Sequence, residues 1–395
     1  MKEEQKVSNI FNMVSEEDYI EKMDTQNTLL AALVRAQGGS IKPTGWSDVQ
    51  ALVRAGLHKS VFSIGDQLIC QKDGASIIWD IIGIDHDVPA DPQFNHSLTL
   101  QMHKIFAGVQ FDEREAFYYS EAGLAAGTYK FTVSGHDWVA SDVGKTFQFT
   151  LAQALPAGGQ LVFTAAYNAS LGTGNVQSFA GGTSYTPIES VALTEGNSGT
   201  SLGSITTNTT TAEMNCMQRA LLGSNNYTQS AIRQWLNSDA AAGSVWTPQT
   251  NFDRAPSWRT TLKGWKAGLD ADFLAVVGAT KFNVAKNTVC DGGGYDTLED
   301  EFFLVSRENV FAGKENNIDE GGAYPYYSDY SDHSSASTGA DKNRIKYSGS
   351  SAFWWWLRSP YTGGACNPRY AGYDGSVYHY YAYSAYGAVP ACNII

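Results

Sequence analysis

Side chains able to do covalent or metal chemistry are few and scattered in this chain. Its five cysteines, Cys70, Cys216, Cys290, Cys366 and Cys392, are widely spaced and odd in number, which argues against a disulfide framework and fits a reducing compartment. Asp85-His86-Asp87, with His96 and His103 further on, offers carboxylate and imidazole ligands. The spacing follows no metal-binding pattern, however, and Asp and His in short turns commonly cap backbone groups. Asp329 and Asp332, in the polar stretch 315–342, suit Ca²⁺ by acidity alone, since EF-hand spacing is absent. Cys290-Asp291-Gly292-Gly293-Gly294-Tyr295 is a Gly-rich turn without the Gly-Lys-Ser/Thr of a phosphate loop. No Gly-x-Ser-x-Gly elbow, His-Glu-x-x-His or dinucleotide fingerprint occurs. The expectation is a protein without catalytic residues, metal or cofactor.

Recognition chemistry is concentrated instead. Of the chain's 21 tyrosines, eight (Tyr361, Tyr370, Tyr373, Tyr378, Tyr380, Tyr381, Tyr383, Tyr386) stand between 361 and 387, among Gly, Ala, Ser, Asn and Asp. The window holds a single large aliphatic residue, Val377, so it does not read as core. A stiff ring with a polar tip, set among small adaptable residues, binds a partner at low entropic cost. The alternative is a Tyr-rich loop packed on its own domain.

The window's anchors carry a resemblance. Trp355-Trp356-Leu357-Arg358-Ser359-Pro360, Arg369-Tyr370, Asp374-Gly375-Ser376-Val377 and Gly387-x-Val389-Pro390-Ala391 together resemble the C-terminal segment of the C-type-lectin-like variable proteins of diversity-generating retroelements, phage tropism determinants among them. Upstream, Asn226-Tyr227-x-x-Ser230-x-Ile232-Arg233-x-Trp235-Leu236-Asn237 resembles that family's helix before the core sheet, and Asp300-Glu301-Phe302-Phe303-Leu304-Val305-Ser306 its central strand. The resemblance covers roughly 60–85 and 212–395. It implies a ligand-binding display protein whose partner is a host or environmental cell-surface protein or glycan. It also implies a virion location, at a phage tail or fibre tip after synthesis in the host cytoplasm, with a bacterial cell surface as the alternative. The same fold includes formylglycine-generating oxidases, which work through a cysteine pair; Cys366 and Cys392 keep that rival open. The calcium-dependent sugar motifs Glu-Pro-Asn and Gln-Pro-Asp are absent, so a lectin fold need not mean a lectin's function.

Within the window and its anchors, Trp356, Leu357, Arg358, Arg369, Gly375, Val377 and Pro390 are expected to hold the scaffold. Tyr361, Asn367, Tyr373, Asp374, Ser376, Tyr378, His379, Tyr380, Tyr381, Tyr383, Ser384 and Tyr386 are expected to face outward on one side as the ligand-binding set. Tyr, Asn, Asp, Ser, His, Cys, Ala and Gly are also what adenine-directed mutagenesis of AAC or AAT codons yields most readily. The tyrosines of 315–342 (Tyr324, Tyr326, Tyr327, Tyr330) are expected to flank that face.

The elements that must position these residues make an α+β chain: a C-type-lectin-like domain with a β-sandwich-like inserted domain and an N-terminal helical segment. Residues 1–58 read as that segment. Ile20, Met23, Leu30 and Val34 recur at three-four spacing with Asn27 at the seam, which predicts a homo-oligomer, a trimer. Trp46 to Leu57 predicts a second amphipathic helix. Residues 59–109 and 212–395 form the lectin-like domain, beginning with a hairpin of strands near 67–71 and 77–82. Residues 110–211, with alternating strands at 128–133, 146–151 and 160–164, a further short strand at 190–193 and no helix between them, predict the inserted β domain.

Composition fits this plan. Aromatics at 12% and charged residues at 17% describe a folded, β-leaning protein. A net charge of −13 disfavours nucleic acid as a partner. No run of eighteen apolar residues occurs, which predicts no membrane insertion, and the first residues lack the basic and apolar regions of a signal peptide.

Overall fold

The computed structural model describes residues 43–395, apart from 114–117, 121–122, 135–143, 155–158, 166–189, 207–218, 220–221, 248, 250–254, 289–290 and 328–340. The seam at Ile20 to Val34 and the acidic pair Asp329 and Asp332 therefore lie outside the described residues. The architecture is α+β, with few helices and many strands in several sheets. No described helix is long and apolar enough to cross a membrane.

The first described helix, Trp46–Arg54, starts where the Thr44 amide and hydroxyl donate to Asp48 Oδ2 at 2.8 and 2.6 Å. Its buried stripe of Val49, Leu52 and Val53 is the amphipathic face expected from the sequence. Gln50 Nε2 donates to the Ile395 carbonyl at 2.7 Å, tying the helix to the last strand.

A six-stranded sheet runs Gln67–Lys72, Ala75–Ile84, Leu98–Met102, Ala391–Ile394, Val277–Gly278, with Phe302–Phe303 also pairing Ala391–Ile394. The hairpin at its edge turns at Asp73 and Gly74, both in the left-handed region (φ 53° and 78°), as a tight two-residue turn requires. Its registers put Trp79 opposite Met102 and Cys392 opposite Leu100. Trp79, Trp265, Phe273 and Phe302 are fully buried and form the centre of the core, Trp79 and Phe273 lying 5.2 Å apart. Asp300 to Ser306, expected as a central strand, is split: Asp300 ends the strand Tyr295–Asp300 opposite Thr280, and only Phe302–Phe303 joins this sheet, opposite Cys392 and Ala391.

A second, five-stranded sheet runs Val377–His379, Pro368–Ala371, Trp355–Pro360, Ala385–Ala388, Ala107–Gln110. Segments before residue 111 and after residue 276 thus share both sheets. Between them, Tyr118–Ser120, Gly127–Ser134, Thr146–Leu151, Gly159–Ala165, Ser190–Glu195 and Thr200–Thr206 form a further six-stranded sheet. Its buried face pairs Tyr129 with Phe149 and Phe131 with Phe147 across neighbouring strands, the inward half of the alternating pattern. Among the described residues this segment, expected as a sandwich-like inserted domain, is this one sheet, and a second layer is not among them.

Candidate binding face

The five-stranded sheet is the platform for the tyrosine window. Trp356 stands opposite Tyr370, and Tyr370 opposite Tyr378, so the three project from the same face. Trp356 is fully buried, its indole N–H donating to the Val109 carbonyl at 2.8 Å. Tyr370 is also buried, while Tyr378 is 41% exposed. Tyr386, half-buried on the neighbouring strand, stacks on Trp356 at 4.7 Å and on Trp354 and Tyr380 at 5.6 and 5.7 Å. Trp354 in turn meets Tyr373 edge-on at 5.6 Å. Tyr380 contacts Tyr381, and Tyr381 lies parallel to Tyr383. The result is a continuous aromatic surface, anchored in the core by Trp356 and ending in solvent at Tyr373, Tyr378 and Tyr380.

Backbone geometry constrains this surface. Gly387 cannot be another residue without a shift, because a Cβ there would meet Ile105 Cδ1 at 2.7 Å and the Trp354 carbonyl at 2.8 Å. The Gly372-to-Ser376 turn closes through Gly372 N to Ser376 O at 2.7 Å, with Gly375 at φ 79°. Asp374 accepts from the Ser376 amide at 3.1 Å and from the Tyr378 hydroxyl at 3.3 Å. Burial, followed by the neighbouring Tyr378 and Asp374, pushes the Tyr370 hydroxyl up to about 12. Burial raises Tyr386 as well. Both hydroxyls stay neutral across physiological pH and remain donors.

The expectation of one outward face needs correction. Arg369 and His379, one residue out of step with Tyr370 and Tyr378, pair with each other and project from the opposite side, because side chains alternate along a strand. There Tyr361 and His379 stack at 4.3 Å and 8°. The Arg369 guanidinium lies 4.9 Å from the Tyr361 ring centre and pairs with Glu315 at 2.6 Å. Desolvation, and then Arg369, lower the His379 pKa. Tyr361 and His379 therefore form a second cluster, apart from the ladder on Trp356.

Ser376, expected to face outward, is 1% exposed. It is the turn's inward residue, and a ligand cannot reach it. Asn367, Asp374, Tyr381, Tyr383 and Ser384 are half-buried. The scaffold residues Leu357, Arg358 and Pro390 are buried, Arg369 is ion-paired and Gly375 takes its turn conformation. Val377 is only partly covered. Tyr324 and Tyr327, expected to flank the face, are core residues at 1% and 0% exposure.

Three features of the site were not visible as such. Trp354, the residue just before the Trp355–Pro360 anchor, is half-buried and carries part of the aromatic surface. Asn225, distant in sequence, donates through Nδ2 to the carbonyls of Gly364, Tyr361 and Asn367 at 2.7, 3.2 and 3.3 Å, and so folds the 361–367 loop. Glu315 ties Arg307 and Arg369 together at 3.0 and 2.6 Å.

The cysteines take no shared site among the described residues. Cys392 is fully buried in the central sheet, and burial holds its thiol well above the ordinary range. Cys366 is also buried, its thiol donating to Asn367 Oδ1 at 3.3 Å. The histidine and aspartate cluster divides three ways: Asp85 with His58 and His96, Asp87 with His86, and Asp80 with His103.

No curated protein and no solved structure matches this chain. Residues 205–395, which carry the tyrosine window and four of the five strands beneath it, are similar to a family described as a domain of unknown function (DUF6273).

Proposed function

We propose that this protein is a ligand-binding display protein: a C-type-lectin-like scaffold that presents the aromatic surface around Tyr373, Tyr378, Tyr380 and Tyr386 to a cell-surface protein or glycan. The observation that carries this reading is the graded burial of one stacked ladder, from Trp356 in the core to Tyr378 and Tyr380 at 41% and Tyr373 at 56% exposure. Rings held by stacking lose little entropy on binding, and exposed, pre-organised aromatics are the commonest energetic anchors of interfaces. A phage particle is the setting that the sequence resemblance supports, with a bacterial surface as the alternative. Diversification of the window by a retroelement belongs to the same reading, as does trimeric assembly through the seam at Ile20 to Val34.

The rival oxidase reading needs a reactive thiolate. Burial that raises a thiol's pKa works against that reactivity, and this is the environment of Cys392.

The test is binding to intact bacterial cells and to a glycan array by full-length protein. Tyr378→Ser and Tyr380→Ser should each weaken binding by about 2 kcal/mol or more, and Cys366→Ser should leave it unchanged. Binding that survives both tyrosine changes and is lost with Cys366→Ser would overturn the proposal. Sequencing the flanking DNA for a reverse transcriptase and a near-identical template repeat tests the retroelement separately. Light scattering on the full chain and on a form lacking residues 1–38 tests the assembly.

A further inference from the structure

The turn after Ala75–Ile84 holds Asp85 in the left-handed region, φ 52°, and two imidazoles from other parts of the chain converge on its carboxylate. His58, the first residue of the short helix His58–Val61 and fully buried, places Nε2 2.9 Å from Asp85 Oδ1. His96, two residues before Leu98–Met102, places Nδ1 3.1 Å from the same oxygen. The three donor atoms lie within 4.8 Å of one another. We propose that His58 Nε2, Asp85 Oδ1 and His96 Nδ1 form a binding site for a divalent transition-metal ion of the Zn²⁺ type.

Two imidazoles and one carboxylate favour Zn²⁺, Co²⁺ or Ni²⁺ over Ca²⁺ or Mg²⁺, which take oxygen ligands. With metal–ligand bonds of about 2.0–2.2 Å, nitrogen–oxygen separations of 2.9 and 3.1 Å subtend roughly 90–100° at the ion. Those are neighbouring positions of a five- or six-coordinate shell. A tetrahedral shell asks for separations of about 3.3 Å, an outward movement of a few tenths of an ångström.

The surrounding contacts suit a carboxylate that binds through one oxygen. The Ser97 amide donates to Oδ1 at 3.1 Å, and Lys59 Nζ sits 3.0 Å from Oδ2. Lys59 opposes a cation by charge, but it is nearly half exposed and can turn to solvent. The side chains of Asp85 and His96 are 24% and 13% exposed, which leaves an entry path to the buried His58. The competing account is a hydrogen-bonded triad in which each imidazole donates an N–H to Oδ1 and the cluster only closes the turn. An ion would add a link between the helix, the turn and the loop, and would stabilise the folded state by mass action.

The experiment uses full-length protein stripped with a chelator. Calorimetric titration should show one Zn²⁺ per chain, and melting should shift upward with Zn²⁺ but not with Mg²⁺ or Ca²⁺. Asp85→Asn keeps a residue that tolerates the left-handed conformation, and His96→Ala removes a partly exposed ligand. Each should lower Zn²⁺ affinity by more than the roughly 10–100-fold that outer-shell changes cost. Co²⁺ added to stripped wild-type protein should give a visible absorption band that Zn²⁺ bleaches, a readout that needs no variant. Absence of stoichiometric Zn²⁺ uptake, absence of that band, or an unchanged isotherm in both variants overturns the proposal and leaves the hydrogen-bonded triad.

Discussion

Trp356 and Tyr386 stack with ring centres 4.7 Å apart and planes 28° from parallel, one fully buried and the other partly exposed. The contact couples the core to the surface, so stability and recognition should separate along it. Trp356→Ala removes a core aromatic and its hydrogen bond to Val109, and should cost about 3–5 kcal/mol. Tyr380→Ala, at the exposed end, should stay within about 0.5 kcal/mol of wild type. Urea denaturation of the two variants checks the division, and a Tyr380 variant less stable than the Trp356 variant would falsify it.

Glu315 is 2% exposed and holds Arg307 and Arg369 together. Glu315→Ala leaves two partly buried guanidinium groups without their shared carboxylate, which should cost about 3–5 kcal/mol. Arg369→Ala should cost less, because Arg307 still pairs with Glu315. Equal losses in chemical denaturation would show that the pairings are not shared in this way.

Stability should carry a signature of Glu320. This residue is fully buried, and desolvation raises its carboxyl from 4.5 to about 7, against the opposing pull of Arg358 and Ser359. A carboxyl with a raised folded pKa binds more protons folded than unfolded between those values. Its contribution is therefore fully present below about pH 4.5 and is lost as pH rises through about 7. Glu320→Gln mimics the neutral acid, and its amide can still meet Ser359. The variant should flatten the decline in stability across that window and be the more stable protein at pH 8, which melting curves over pH will show.

Asn225→Ala should loosen the 361–367 loop while sparing the ladder. It strips the carbonyls of Tyr361, Gly364 and Asn367 of a donor, and Asn287 Nδ2 of an acceptor at 2.8 Å. The Tyr361 and Asn367 carbonyls keep the amides of Gly364 and Tyr361 at 3.1 and 2.8 Å, so the expected cost of about 1–3 kcal/mol rests mainly on the Gly364 carbonyl. Faster amide exchange in 361–367 and at Ala382, whose amide donates to the Cys366 carbonyl at 3.0 Å, with 385–388 unchanged, is the outcome to look for.

The chain's own pattern determined a good deal. Strand and turn signals predict the hairpin of strands near 67–71 and 77–82 and the strands at 128–133, 146–151, 160–164 and 190–193, and each forms, because those signals are local. The motif from Asn226 to Asn237 does contain a helix, Ala231–Leu236, capped by Ser230 and tied by Arg233 to Asp300 at 2.8 Å. Composition alone separated the buried Trp356 and Leu357 from the exposed Tyr373, Tyr378 and Tyr380.

Tertiary structure decided what depends on register and distant partners. Whether Tyr378 or His379 joins the ladder follows from pairing with Tyr370 and Arg369, and a shift of one residue would exchange the faces. Tyr324 and Tyr327 share the composition of the window but lie in the core, Tyr324 with its hydroxyl 3.0 Å from Asp87 and Tyr327 hydrogen-bonded to Gln101. A tyrosine's amphipathic ring suits either place, and only a buried acceptor distinguishes them. His58 meets Asp85 and His96 through folding alone, with no short motif to mark it, because the three side chains come from a helix, a turn and a loop that only the packed sheet brings together.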